Sequence, residues 1–260
     1  MNHSDICSWL RSPSGQYLLS WEEAQFDERV ADVFGYHALQ LGLAPLAALQ
    51  ANRMPQRWLA LQYPKQLADL TMDSASLLAQ FESLPFDSQS LDLIVLPHTL
   101  ELSADPHQLL REAERVLRPE GRLLISAFNP WSLWGARQKI GHWTGYQFLP
   151  EVRGMISLPR LKDWLKLLNF ELQGGCFGCY RPPCRSDKGL ARTSFFDPAG
   201  DRWWPVLGAV YILMAVKRVA GMRLIGPAWK QKPQSVNATA PIANASSLPT
   251  HVELQRGTDD

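Results

Sequence analysis

Leu84-Pro85-Phe86-Asp87-Ser88-Gln89-Ser90-Leu91-Asp92-Leu93-Ile94-Val95-Leu96 is a turn followed by a continuous apolar run, which predicts a strand buried on both faces. Pro97 bounds the run. Asp105-Pro106 then supplies an N-cap with proline at the first helical position. Leu109, Leu110, Ala113, Val116 and Leu117 repeat at helical spacing, and Pro119 and Gly121 close that segment. Leu123 to Phe128 is the next apolar strand. A strand, helix and strand of this length cross over in one hand only and give a parallel pair.

Outward from this unit the same grammar continues. Residues 16–33 space Leu18, Leu19, Trp21, Phe26, Val30 and Val33 among carboxylates, as in an amphipathic helix. His37 to Gly42 reads as a first buried strand ending in a turn, Pro45 to Ala51 as a short helix, Trp58 to Leu61 as a second strand and Leu77 to Ala79 as a third. Pro159 to Asn169 predicts a helix; Phe170–Leu172 and 208–216 predict two final strands. The fold class is therefore α/β, a doubly wound, mostly parallel sheet with an antiparallel last strand. The expected organisation is a helical segment over 1–33, the α/β domain over 34–230 with a lid inserted at about 131–157, and a disordered tail over 231–260, where Asn, Ala, Ser, Thr and Pro replace apolar periodicity.

Composition narrows the function. With 46% hydrophobic and 20% charged residues, the 260-residue chain buries a full core. A net charge of +1 argues against a whole-surface partner such as duplex DNA, while local patches leave nucleic acid open. The first residues lack a basic and an apolar signal region, and the longest apolar run, 203–216, is interrupted by Pro205 and Gly208, so a cytoplasmic location is expected. Cys176-Phe177-Gly178-Cys179 has a metal-ligand spacing without a second ligand pair and reads as thiols in a late strand; no metal is expected.

The L-P-F…S-x-D-x-I-V wording of 84–95, with the "L-P-H-T-L-E" of 96–101 and the "F-N-P-W-S-L-W-G" of 128–135, resembles class I S-adenosylmethionine-dependent methyltransferases of the small-molecule type, in a bacterial offshoot. The resemblance implies S-adenosylmethionine as cofactor, held at the carboxyl ends of the strands. Where such proteins end the first strand in an acid and a glycine pair, this chain has Gln40 and Gly42-Leu43-Ala44. The acids that meet the ribose and the adenine correspond to Gln62 and Gln80, with Phe81 and Pro97 beside them. A glutamine carbonyl still accepts a hydrogen bond but lacks charge assistance, so weak cofactor binding is expected. His98 is the candidate catalytic residue, with a histidine satisfied at a strand end as the plain alternative; Glu101 is either a second base or a cap.

The resemblance implies methyl transfer to a small-molecule acceptor, or, as the alternative, a catalytically inactive binding or scaffold protein on the same fold. The oligomeric state is not legible. Aromatic and basic residues at 131–153 fit a lid first and a planar anionic ligand second. Basic and apolar residues interleaved over 217–232 raise a weak membrane contact against a solvated tail.

Overall fold

A computed structural model describes residues 3–64, 75–145, 148–149, 154–184 and 186–219. Helices α1 (His3–Leu10) and α2 (Pro13–Val30) lead into strands β1 (His37–Leu41), β2 (Gln56–Leu61), β3 (Ala75–Leu78) and β4 (Leu91–Pro97). Then follow α3 (Thr99–Leu102), α4 (Pro106–Val116), β5 (Leu117–Phe128), α5 (Leu133–Thr144), α6 (Leu158–Leu167), β6 (Phe170–Gly178), α7 (Asp187–Arg192), α8 (Phe196–Trp203), one 3-10 turn at Pro205–Leu207 and β7 (Val210–Lys217).

The seven strands run in the order β3-β2-β1-β4-β5-β7-β6, with β7 antiparallel to both of its neighbours and the other observed pairings parallel. Strand order reverses between β1 and β4, which is where an open parallel sheet makes its ligand site. The apolar run of β4 is continuous because both faces are covered. Leu93 and Val95 face one core, with Leu18 and Phe26 of α2 and Trp134 of α5. Ile94 and Leu96 face the other, with Leu110 and Ala113 of α4 and Leu161 and Leu165 of α6.

The capping signals act as read. Asp105 accepts from the N–H groups of His107 and Gln108, both at 3.0 Å. The 84–90 turn is anchored to α4: Glu112 Oε1 accepts the Leu84 N–H at 2.9 Å, and Arg115 Nη2 donates to the carbonyls of Leu84 and Phe86. The Arg115 guanidinium beside Glu112 holds that carboxyl below its usual range.

The helix read through Leu117 ends at Val116, and β5 begins at Leu117 and includes Pro119 and Gly121; further segments also differ from the sequence reading. Residues 45–51 form turns instead of a helix, because Gln40 captures the backbone groups a helix would use. The insertion after β5 contains a helix, α5; Trp134 is buried as a core residue, while Trp131 stands outside. The lid's residues 146–147 and 150–153, most of the basic 217–232 segment and the tail lie outside the described residues.

Candidate functional site

The carboxyl ends of β1, β2 and β3 lie side by side, with Leu41 level with Ala60 and Ala60 level with Leu77. Gln40 is fully buried there. Its Nε2 donates to the carbonyls of Gly42 (3.2 Å), Leu43 (3.3 Å) and Leu46 (2.8 Å), and its Oε1 accepts the Ala48 N–H at 3.2 Å. Gly42 and Leu43 both take positive φ, 75° and 48°, which turns this chain of carbonyls toward the amide. A carboxylate could not replace it, since it has no hydrogen to offer three carbonyls. Glutamine at position 40 is therefore the residue that folds the turn, with its polar groups already committed.

The other two amides stand differently. Gln62 is half-buried one residue beyond β2, and Gln80 is exposed beyond β3, bridged to Ser83. Phe81 is buried with its ring over Gly42, 3.5 Å from where a Cβ on that glycine would lie. Pro97 is the last residue of β4, paired with Ser126. Thr99, which the sequence reading passed over, ties these ends together: its Oγ1 donates to the Leu41 carbonyl at 2.6 Å and lies 3.2 Å from that of Pro97.

His98 occupies the switch point but is sealed from solvent. Its Nδ1 is 3.0 Å from Glu101 Oε2, and its Nε2 is 3.0 Å from Glu22 Oε1 of α2. The Glu22 contact is a charge contact off the hydrogen-bond direction, since neither Glu22 oxygen has an aligned donor. Glu101 Oε1 also accepts the Phe128 N–H at 3.0 Å. Burial alone would lower the imidazole's affinity for its proton, but the two carboxylates outweigh it and push His98 up to about 10. Burial meanwhile raises Glu101, and raises the thiol of the enclosed Cys179 nearby. An imidazolium has no free nitrogen with which to accept a proton. The expected catalytic base is thus, in this packing, the cation of a buried triad, and Glu22, the missed partner, comes from a helix 76 positions earlier.

A separate pocket of about 250 Å³ lies between α6 and the β6–β7 edge, lined by Lys162, Gly174, Cys176 and Tyr211, and includes none of these residues. No described helix is long and apolar enough to cross a membrane, and no three potential metal ligands gather among the described residues.

The match to known proteins follows the same division. Residues 46–125 match the methyltransferase domain family Methyltransf_11, a stretch that begins just past Gln40 and Gly42. The chain is 47% identical over 89 residues to the uncharacterized protein YafS of Escherichia coli K12, covering 34% of this chain and 36% of that one. It is 28% identical over 178 residues to the biotin biosynthesis bifunctional protein BioHC of Saccharophagus degradans, covering 65% and 31%. Both matches span about a third of those relatives' length. An S-adenosylmethionine-dependent methyltransferase from Mesorhizobium loti superposes with a TM-score of 0.55 at 15% identity, over 76% of this chain and 100% of that one. Residues 46–125 thus match the methyltransferase domain family, and the sheet that carries them has the class I S-adenosylmethionine-dependent methyltransferase fold.

Proposed function

We propose that the chain binds S-adenosylmethionine at the β1–β3 ends and transfers its methyl group to a small-molecule acceptor. The observation that carries this reading is the placement of Gln62 and Gln80 on the rim of two adjacent strands beside the positive-φ turn at Gly42, at the reversal of strand order. These residues fit the nucleoside half of the cofactor: two neutral amides can accept ribose hydroxyl and adenine amine hydrogens. Gln40 does not fit a direct role, because its amide is committed to the turn. When bound, the cofactor supplies an electrophilic methyl on a sulfonium. The protein's part is to align the acceptor and exclude water, and no base is assigned to His98. Short stretches are shared with a malonyl-(acyl-carrier protein) O-methyltransferase of Coxiella burnetii and a ubiquinone/menaquinone biosynthesis C-methyltransferase of Hahella chejuensis, which favours an acyl- or ring-bearing acceptor.

Calorimetry of the full chain with S-adenosylmethionine and its demethylated product tests this. The reading expects saturable binding that weakens about tenfold on Gln80→Ala, the loss of one hydrogen bond and its desolvated partner. No heat at millimolar ligand would leave the fold as a non-catalytic scaffold.

A further inference from the structure

The carboxyl edge of β5 carries an apolar ledge that the fold holds open to solvent. Trp131 is 72% exposed, Trp203 68% and Val206 61%, with Trp204 and Leu207 a little under half exposed. Two segments present them, the turn after β5 and the end of α8 with the 3-10 turn that follows it, and a buried polar staple ties the first to that 3-10 turn. Asn129 Nδ2 donates to the carbonyls of Val206 (2.8 Å) and Gly208 (2.9 Å), its Oδ1 accepts the Trp131 N–H at 3.1 Å, and its own N–H donates to Ala209 at 2.8 Å. The same residue that closes the end of β5 thus fixes the backbone at Trp131 and at Val206–Gly208, while the Trp204 N–H donates to the Gly200 carbonyl at 2.8 Å. Trp203 and Trp204 meet edge to face with ring centres 5.9 Å apart.

Helix α5 extends the ledge. Its buried side holds Trp134 and Gln138, while Leu133, Ala136, Arg137 and Ile140, spaced three, one and three apart, stand exposed along one stripe. Lys139 places its Nζ 5.5 Å from the centre of the Trp131 ring. The exposed charges on α5 and α8 are the cations Arg137, Lys139 and Arg202 and the acid Asp201, among the described side chains; Asp197 is half-buried and paired with Arg181.

We propose that this ledge docks the protein on an anionic lipid bilayer. Exposed tryptophans and aliphatic side chains on segments tied together by one buried residue mark an interaction site. Tryptophan, with an apolar ring and one N–H, partitions to the interface between headgroups and acyl chains, and cations set beside it meet anionic headgroups. The excess of positive over negative charge around the rings favours that occupant over a neutral one. Docked this way, the β5 carboxyl end would face the lipid.

The test is flotation of the full chain with vesicles of phosphatidylcholine alone and of phosphatidylcholine and phosphatidylglycerol in equal parts, at low and high salt, together with tryptophan emission. The expected result is binding to the phosphatidylglycerol vesicles, a blue shift, and partial release by salt. Trp131→Ser with Trp203→Ser should weaken binding about tenfold per residue while leaving the circular dichroism unchanged. Should that double variant misfold, Lys139→Glu with Arg202→Glu, both at exposed positions, provides the second arm, and it should abolish the preference for phosphatidylglycerol. Failure of the wild-type chain to float, equal binding to both vesicles, or wild-type binding by the variants overturns the proposal. So does a wild-type dimer that the tryptophan variants convert to a monomer without any vesicle binding, since a second copy would then own the ledge.

Discussion

Replacing Gln40 by glutamate puts back the acid that the family resemblance leads one to expect, and the structure gives the opposite of a repair. The Nε2 group that now donates to Leu46 at 2.8 Å and lies within reach of two further carbonyls becomes an oxygen facing three oxygens. Losing the one good bond costs about 1 kcal/mol, and leaving its buried partners unsatisfied costs about 1–3 kcal/mol more. Burying the new carboxylate without a countercharge forces it to take up a proton or to pay several further kcal/mol. A net loss of about 5 kcal/mol or more at neutral pH follows. The sign with pH is fixed. Desolvation raises the folded-state pKa of the new acid above its unfolded value, so the folded state binds more protons, and stability falls as pH rises above the unfolded pKa. Urea unfolding of wild type and Gln40→Glu from pH 5 to pH 8 reads this directly, and the gap between them should widen toward pH 8. A variant as stable as wild type at every pH, or one that binds S-adenosylmethionine more tightly, would refute the reasoning.

Three further outcomes follow from the same packing. His98→Ala removes the cation between Glu22 and Glu101 and should cost about 3–5 kcal/mol in urea unfolding, the penalty for stranding buried carboxylates. Because His98 is raised to about 10 when folded, its stabilising contribution in the wild type is complete below about pH 6.5, the usual histidine value, and is lost as pH rises through 10; a His98→Ala chain should lack that alkaline decline. Glu112→Ala frees Leu84 N–H and the Arg115 fork, so the 84–90 turn should lose about 1–3 kcal/mol of protection in amide hydrogen exchange while the amides of β5 stay protected.

Much of this architecture is written locally. The β4 run, the Asp105-Pro106 cap and the helical spacing of α4 are contiguous signals, and the chain obeys them because nothing distant competes. Residues 45–51 carry a comparable local signal, proline in a first turn, and are overruled by one buried side chain eight positions before Ala48. Trp131 and Trp134 read alike in the sequence; Trp134 falls on the buried side of α5, while Trp131 lies in the turn before it, held by Asn129. His98 was legible as a switch-point residue, but its neighbours depend on how α2 lies over β4, and no spacing rule connects position 22 to position 98. Positions 62 and 80 are picked out by the motif; the commitment of Gln40 is not, since an amide and the backbone it captures look like any other loop until the turn is folded.

A crystal structure of the chain with S-adenosylhomocysteine is the most direct test of cofactor use. The account predicts adenosine at the rim, its ribose and adenine within hydrogen-bond reach of Gln62 and Gln80, with Gln40 still bonded to the carbonyls of Gly42, Leu43 and Leu46. A nucleoside bound elsewhere, or a Gln40 amide released from its turn to hold the ligand, would contradict it.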